Sequence, residues 1–450
     1  MKNRFVFLMF VLAIAGASVA WGGGAKQASG DVTLKFTFWG SPIERQIVEQ
    51  CMASFEKANP GIKVDAQHIP DEYTTKILTM IAGNVAPDIL YVEGFIENDW
   101  GLEGRLVNIF DLIREDPELN EDDFMDLSWF RWAPGKSGGT LPAIEPYALF
   151  YNKDMFLKAG LQLPPTRPEN AWTWDQYVDI AKKLTLDANG RHPDDPGFDP
   201  NNIVQYGTQY SANYINAVYS NNGRFITADG KRIALTSPEA IDAIQKLGDL
   251  MNVHHVAPTP VAARNIPEIS TALMTERVAM VATGQWVLLD LAANDELNWD
   301  IGVLPKLQKY VTVIQGGVIS IMESSKNKAE AWKLYKWFNN AETIMPLHAG
   351  GLWMPSMKKW YTEEPYIIQW AQDNKAHPPS FRPAVLEATL KYGMPMPTIN
   401  VRNFSKIENL VNAALDQVWL GEKSAAQALR EVEPQINSLV EGFYDTTREY

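Results

Sequence analysis

The chain is predicted to be an α/β protein with doubly wound, mainly parallel sheets flanked by helices, and three observations carry that expectation. Strand and helix periodicities alternate from residue 33 onward, a continuous apolar strand follows Pro87-Asp88, and helix-start signals recur along the whole length. In such sheets ligands sit beyond the carboxyl ends of the strands, so those ends are where site residues are sought. The 450 residues accommodate about three ordinary domains or two large lobes, and 46% apolar content is ample for sizeable cores.

Residues 33–38 alternate, with Leu34, Phe36 and Phe38 on one face. Residues 43–58 read as an amphipathic helix in which Ile43, Ile47, Cys51 and Phe55 recur at steps of four, and residues 62–66 alternate again. Cys51 therefore lies on a buried stripe as a small hydrophobe, and as the single cysteine it makes no intramolecular disulfide. A second helix over 73–82 aligns Tyr73, Ile77 and Ile81 before the apolar strand 89–92. Gly135-Lys136-Ser137 shares the tail of a phosphate loop, but Phe130 replaces the upstream glycine and no strand is expected to feed it, so it reads as a turn.

Residues 141–161, LPAIEPYALFYNKDMFLKAGL, read as a strand entering a helix capped by Asn152 and Asp154 and ended by Gly160. Glu145 and Tyr147 share the parity of that strand and so its face. Thr173-Trp174-Asp175-Gln176 has capping-box spacing, Ser237-Pro238 opens another helix, and residues 187–202 form a polar loop. Further strands are expected over 278–282, 301–304 and 311–322, the last continuous through Gly316-Gly317. Capping-box spacing at Ser405 to Glu408 and at Ser424 to Gln427 starts two C-terminal helices.

Lys2 and Arg4, an apolar run over 5–15 and Ser18-Val19-Ala20 form an export signal over 1–20, followed by a glycine-rich tether over 21–30. Its removal makes a chain of net charge −14 two units more negative, which argues against nucleic acid or anionic lipid as a partner. No cysteine directly follows the signal, so a freely diffusing periplasmic protein is expected rather than a lipoprotein.

No catalytic or metal constellation stands out. His254 and His255 are adjacent and point apart, with no third ligand at a useful spacing, and no Gly-x-Ser-x-Gly elbow is present. Neither cofactor nor metal is expected. Aromatic residues do stand out, with 15 Trp, 16 Tyr and 18 Phe. An aromatic face contacts the C–H face of a pyranose while a neighbouring carboxylate or amide takes its hydroxyls. Trp39 follows the first strand, Glu93 follows the strand 89–92, and Glu145 and Tyr147 share a strand face. Tyr210, Trp286 and Trp353 occupy other strand ends or loops, and Gly317 completes the candidate ligand-binding set.

The order of FTFWGSPIERQIVEQCMASFEKANPGIKV, APDILYV, ALFYNKDMFLKAGL, WTWDQYVDIAKKLT, ALMTERVAMVATGQW, DIGVLP, GGVISIMESSKNKAEAWKLYKWF and MPSMK resembles the extracellular solute-binding proteins of ABC importers. The similarity is to the carbohydrate-binding group that includes maltodextrin-binding protein. It implies two α/β lobes hinged around a central cleft, with lobe 1 formed by 31–147 plus 314–358 and lobe 2 by 148–313 plus 359–450. It implies a monomer that captures a sugar or oligosaccharide and delivers it to membrane permease subunits, without catalysis. By that resemblance Glu145 matches an acid that bonds sugar hydroxyls and Trp286 an aromatic that stacks on a sugar ring. Val92 stands where the maltodextrin-binding member has tryptophan, so maltodextrin itself is not implied. The alternatives are a secreted carbohydrate lyase or hydrolase, which needs a suitably spaced carboxyl pair, and a protein of the same fold for a polyol, peptide or polyamine. Paired acids meeting an amine would point to the polyamine.

Overall fold

The alternation at the start of the chain produces the expected parallel unit. In the computed structural model, which describes residues 31–446, β1 (Val32–Phe38) buries Leu34, Phe36 and Phe38, α1 (Pro42–Ala58) crosses over, and β2 (Ile62–His68) pairs parallel to β1. The expected signal and tether lie outside the described residues. Helix α1 starts at Ser41, whose Oγ accepts from the Glu44 backbone N–H at 3.2 Å, with Pro42 in the first turn. Cys51 and Phe55 are buried as expected, whereas Ile43 and Ile47 are only half-buried. Helix α2 (Tyr73–Ala82) and β3 (Ile89–Glu93) repeat the unit on the other side of β1. Helix α3 (Gly94–Leu102), which no sequence signal marked, begins immediately after β3 and fixes Glu93 at the junction.

A hairpin of β4 (Trp129–Ala133) and β5 (Lys136–Thr140) follows, turning at Gly135 with φ 64°. A strand thus does feed Gly135-Lys136-Ser137, but a strand also follows it. No helix N-terminus is present to cradle a phosphate, and the turn stands.

β6 (Ala143–Asn152) is buried along its whole length. Asn152 caps the next helix by accepting from the N–H groups of Asp154 and Met155, at 2.9 and 3.2 Å. Asp154 does not share that role; its carboxylate accepts from Asn298 Nδ2 at 2.8 Å.

The remaining strands are β7 (Leu186–Asp187), β8 (Ile203–Tyr210), β9 (Val278–Gly284), β10 (Trp299–Gly302), β11 (Thr312–Gln315), β12 (Gly317–Ile321), β13 (Met354–Pro355) and β14 (Gly393–Pro395). The strand expected over 311–322 is therefore two strands broken at Gly316. They belong to different sheets: β12 joins β3, β1 and β2, while β11 joins a larger sheet of order β14-β11-β6-β9-β8-β7, with β10 and β13 also on β6.

Pairing in the larger sheet is mixed rather than mainly parallel. β6 is antiparallel to β9, β10, β11 and β13, whereas β8–β9 and β11–β14 are parallel. The cause is topological. The chain leaves the first sheet region along β6 and returns along β11, and neighbouring segments of opposite travel pair antiparallel.

The C-terminal helix Phe404–Trp419 begins at Asn403, in left-handed backbone with φ 57° and no side-chain cap. The capping box expected at Ser405 therefore does not form. Glu408 instead accepts from the Tyr214 hydroxyl at 2.8 Å. The boxes at Thr173 and Ser424 form as expected.

Burial pushes the Cys51 thiol up to about 11. A thiol reagent at pH 8 is expected to leave the folded protein unmodified over hours and to label Cys51 stoichiometrically in guanidinium, as mass spectrometry would read.

Candidate functional site

The end of β1, the β3–α3 junction, the start of β6 and the break between β11 and β12 converge on one cavity of about 550 Å3. Trp39, Glu93, Glu145, Trp286, Gly317 and Trp353, six of the eight candidates, line it.

Two of the three tryptophans are held against a glycine. The Trp39 indole lies over Gly317, where a Cβ would overlap the ring, and its edges meet Tyr73 and Tyr91 at 4.9 and 5.1 Å. Trp286 folds back over Gly284, where a Cβ would likewise overlap the ring, and it meets Tyr147 edge-on at 5.6 Å. Trp353 is only 6% exposed and backs the cavity beside Tyr91. Glu93 accepts from the Thr74 hydroxyl.

Two candidates are placed elsewhere. Tyr147 does not line the cavity; its hydroxyl donates to Gln315 Oε1 at 2.5 Å and its ring supports Trp286. Parity puts it on the Glu145 side of β6, but one step further along the strand it is covered by β11 and Trp286. Tyr210 lines a separate cavity of about 290 Å3 with Tyr214, Met251 and Trp419, and its ring packs on Trp174. The reason is register. β8 lies one strand beyond β9, and Tyr210 pairs with Ala282, short of the Gly284–Trp286 turn that reaches the cleft. Val92 is buried within β3 at 1% exposure.

The cavity also holds residues not singled out from sequence: Glu44, Asp290, Asn213, Gln315, Glu408, Asn409 and Asn412. Glu44 was findable, because Ser41-Pro42-Ile43-Glu44 has capping-box spacing directly after the first strand. Only half of that box closes: the Ser41 side chain accepts from Glu44 N–H, while the Glu44 carboxylate lies against Gly40. Asp290 faces the same serine, which partly offsets its burial. No local signal marks Asp290 or the asparagines, which long-range packing brings in.

The acids interact. Burial first, then repulsion from Asp290, pushes the Glu44 carboxyl up to about 8. Burial, then repulsion from Glu44, holds Glu145 well above the usual carboxylate range. Glu145 is 9% exposed and accepts no hydrogen bond from any described residue. Glu408 is pushed up to about 7 by burial, partly offset by Tyr214. No lysine, arginine or histidine lines the cavity among the described residues.

The family model for the bacterial extracellular solute-binding proteins matches residues 38–345, and the chain belongs to that family. Among its relatives, YcjN of Escherichia coli (strain K12), named provisionally as an ABC transporter periplasmic-binding protein, is 23% identical over 98% of this chain and 99% of its own. Two solved structures share the fold. The ABC substrate-binding protein Lmo0181 of Listeria monocytogenes, in complex with cycloalternan, superposes with TM-score 0.77 at 24% identity over 91% of this chain and 98% of its own. An ABC transporter solute-binding protein of Thermotoga lettingae, bound with alpha-D-tagatose, gives 0.74 at 22% identity over 91% and 100%. The fold is the two-lobed one of periplasmic binding proteins, with the described cavity between the two sheets.

The raised Glu44 pKa makes stability depend on pH. The folded protein keeps a proton that the unfolded chain releases above about pH 4.5, so stability falls as pH rises from there to about 8. Each such group contributes a slope of up to about 1.4 kcal/mol per pH unit. Chemical denaturation of the ligand-free protein between pH 5 and 8 should show that fall, and Glu44→Gln should remove one group's share of it, leaving the shares of Glu145 and Glu408.

Proposed function

We propose that this protein is the exported sugar-capture component of an ABC importer. A sugar or oligosaccharide enters between the lobes, the indoles of Trp39 and Trp286 lie against its rings, and Glu145, Glu93, Gln315 and the asparagines take its hydroxyls. The observation that carries this reading is the pair of indoles, each seated on a glycine and flanked by carboxylates and amides in one cleft. Sugars are also the ligands in the two solved structures compared above.

Lobe 1 then comprises 31–147 plus 314–358 and lobe 2 comprises 148–313 plus 359–450, with the return crossing at Gly316. Sheet membership supports that division in the main, since β1, β2, β3 and β12 form one sheet and β7 to β11 and β14 belong to the other, while β13 and residues 314–315 of lobe 1 pair with β6. Closure favours ligand through contacts the open lobes lack, and the closed pair of lobes offers permease subunits a composite surface. The protein acts as a monomer in the periplasm, and no described helix is long and apolar enough to cross a membrane. No bond of the sugar is broken, so incubation with oligosaccharides should yield no new reducing ends; turnover would replace this reading with a hydrolase or lyase.

Trp286→Ala removes one stacking face, worth on the order of 1.5–3 kcal/mol, or roughly ten- to hundredfold in affinity. Calorimetry against a sugar found by thermal-shift screening is expected to show that loss with the ligand-free melting temperature nearly unchanged. Wild-type affinity would remove Trp286 from the site.

A further inference from the structure

Five carboxylates line the cleft, namely Glu44, Glu93, Glu145, Asp290 and Glu408, with no basic residue opposite them among the described residues. Two of the five accept side-chain hydrogen bonds, Glu93 from Thr74 and Glu408 from Tyr214, and Ser41 partly offsets the burial of Glu44 and Asp290. Glu44, Glu145 and Asp290 form a coupled group, because Glu44 acts electrostatically on Glu145 and Asp290 on Glu44. Glu145 is nine-tenths buried, lines the cavity and has no hydrogen-bond partner among the described residues. The Tyr91 hydroxyl, on the same wall, is also buried without a partner.

A buried carboxyl without a partner costs several kcal/mol, and three brought together cost more than hydroxyl-binding requires. Neutral sugars need donors and acceptors, which amides supply without electrostatic penalty. A row of acids with no base is complementary to positive charge. A metal ion is a poor fit, since no group of three acids, histidines or cysteines among the described residues is arranged to hold one. An ammonium group carries its charge on N–H donors that reach separated acceptors, and the indoles on either side supply the seat for a ring.

We infer that the cleft takes an aminated saccharide, with its ammonium group held by Glu44, Glu145 and Asp290 and its rings held by Trp39 and Trp286. The inference rests on the sugar-capture reading and narrows the class of sugar. In the ligand-free cleft protons play the part of the missing cation, so binding an ammonium displaces them. The titratable groups around the three acids are Tyr91 and Glu93 from β3, Tyr147 from β6 and Glu408 across the cleft, while Glu268 acts on Asp290.

The test is titration calorimetry of the exported chain at pH 6, where the probe amines are charged. The probes are glucosamine and galactosamine with their two- and three-residue oligomers, the N-acetylated and neutral hexose counterparts, and spermidine. Two buffers of different ionisation enthalpy count the protons exchanged. An amino sugar is expected to bind at least tenfold tighter than its acetylated and neutral counterparts and to release protons. Glu145→Gln and Glu44→Gln, checked for an intact ligand-free melting transition, should collapse that ratio toward one. Neutral sugars binding as tightly as amino sugars, or a ratio unmoved in both variants, would overturn the inference and leave the sugar reading standing. Spermidine binding without any saccharide, or no response to any saccharide, would overturn both.

Discussion

The cleft depends on one structural constraint, the antiparallel meeting of β6 and β11 where the chain passes between the two sheets. The register pairs Ile314 with Pro146 and Gln315 with Glu145. Pro146 has no N–H to give, and the Thr312 side chain repairs the ladder beside it. Its Oγ1 accepts from Tyr147 N–H and donates to Tyr147 C=O, both at 2.9 Å. Below this joint the chain turns at Gly316 into β12 and the other sheet. Any slip of one residue would exchange Glu145 for a core face, so the joint that links the sheets also aims the acid.

From that joint the remaining site geometry follows. β12 pairs with β3 through Gly317 and Glu93, which places Gly317 under the Trp39 indole at the end of β1. β9 pairs with β6 through Gly284 and Tyr147, which places Trp286 at the opposite wall, braced by the Tyr147 ring. Tyr147 thus serves the site as a buttress. Its hydroxyl fixes Gln315 on one side while its ring edge supports Trp286 on the other. Rings seated on glycine and braced edge-on lose little further freedom when a sugar arrives, which lowers the entropic cost of stacking.

Local pattern made the first sheet legible: the alternation of Leu34, Phe36 and Phe38, the stripe containing Cys51 and Phe55, and the capped starts at Thr173 and Ser424 all reappear in the fold. The break at Gly316 was not legible, because Val313, Ile314, Val318 and Ile319 are apolar on both sides of it and read as one buried strand. Only pairing partners far away in sequence separate β11 from β12. The Ser405 cap failed for the complementary reason. Asn403 in left-handed backbone starts the helix earlier, and Glu408 is drawn to Tyr214. Among site residues, those at strand ends were visible through position and chemistry. Tyr210 had the same chemistry and the wrong register, and Asp290 had neither a motif nor a periodicity to mark it.

The three coupled acids are distributed over the molecule in a way that ties charge to lobe motion. Glu44 sits on α1 beside the first sheet, Asp290 follows β9 of the larger sheet, and Glu145 lies on the strand that joins them. Ser41 faces both Glu44 and Asp290 and partly offsets the burial of each. In the empty cleft the acids stay neutral only by holding protons, so closing the lobes on them costs either that protonation or the repulsion of like charges in a site of low polarity. A ligand that supplies positive charge between them reverses that term, so it binds the closed arrangement better than the open one. Differential affinity of that kind is what a ligand must have to shift a conformational equilibrium. Neutral sugar hydroxyls leave the acids protonated, whereas an ammonium takes the place of those protons, and the same three residues then govern both selectivity and closure.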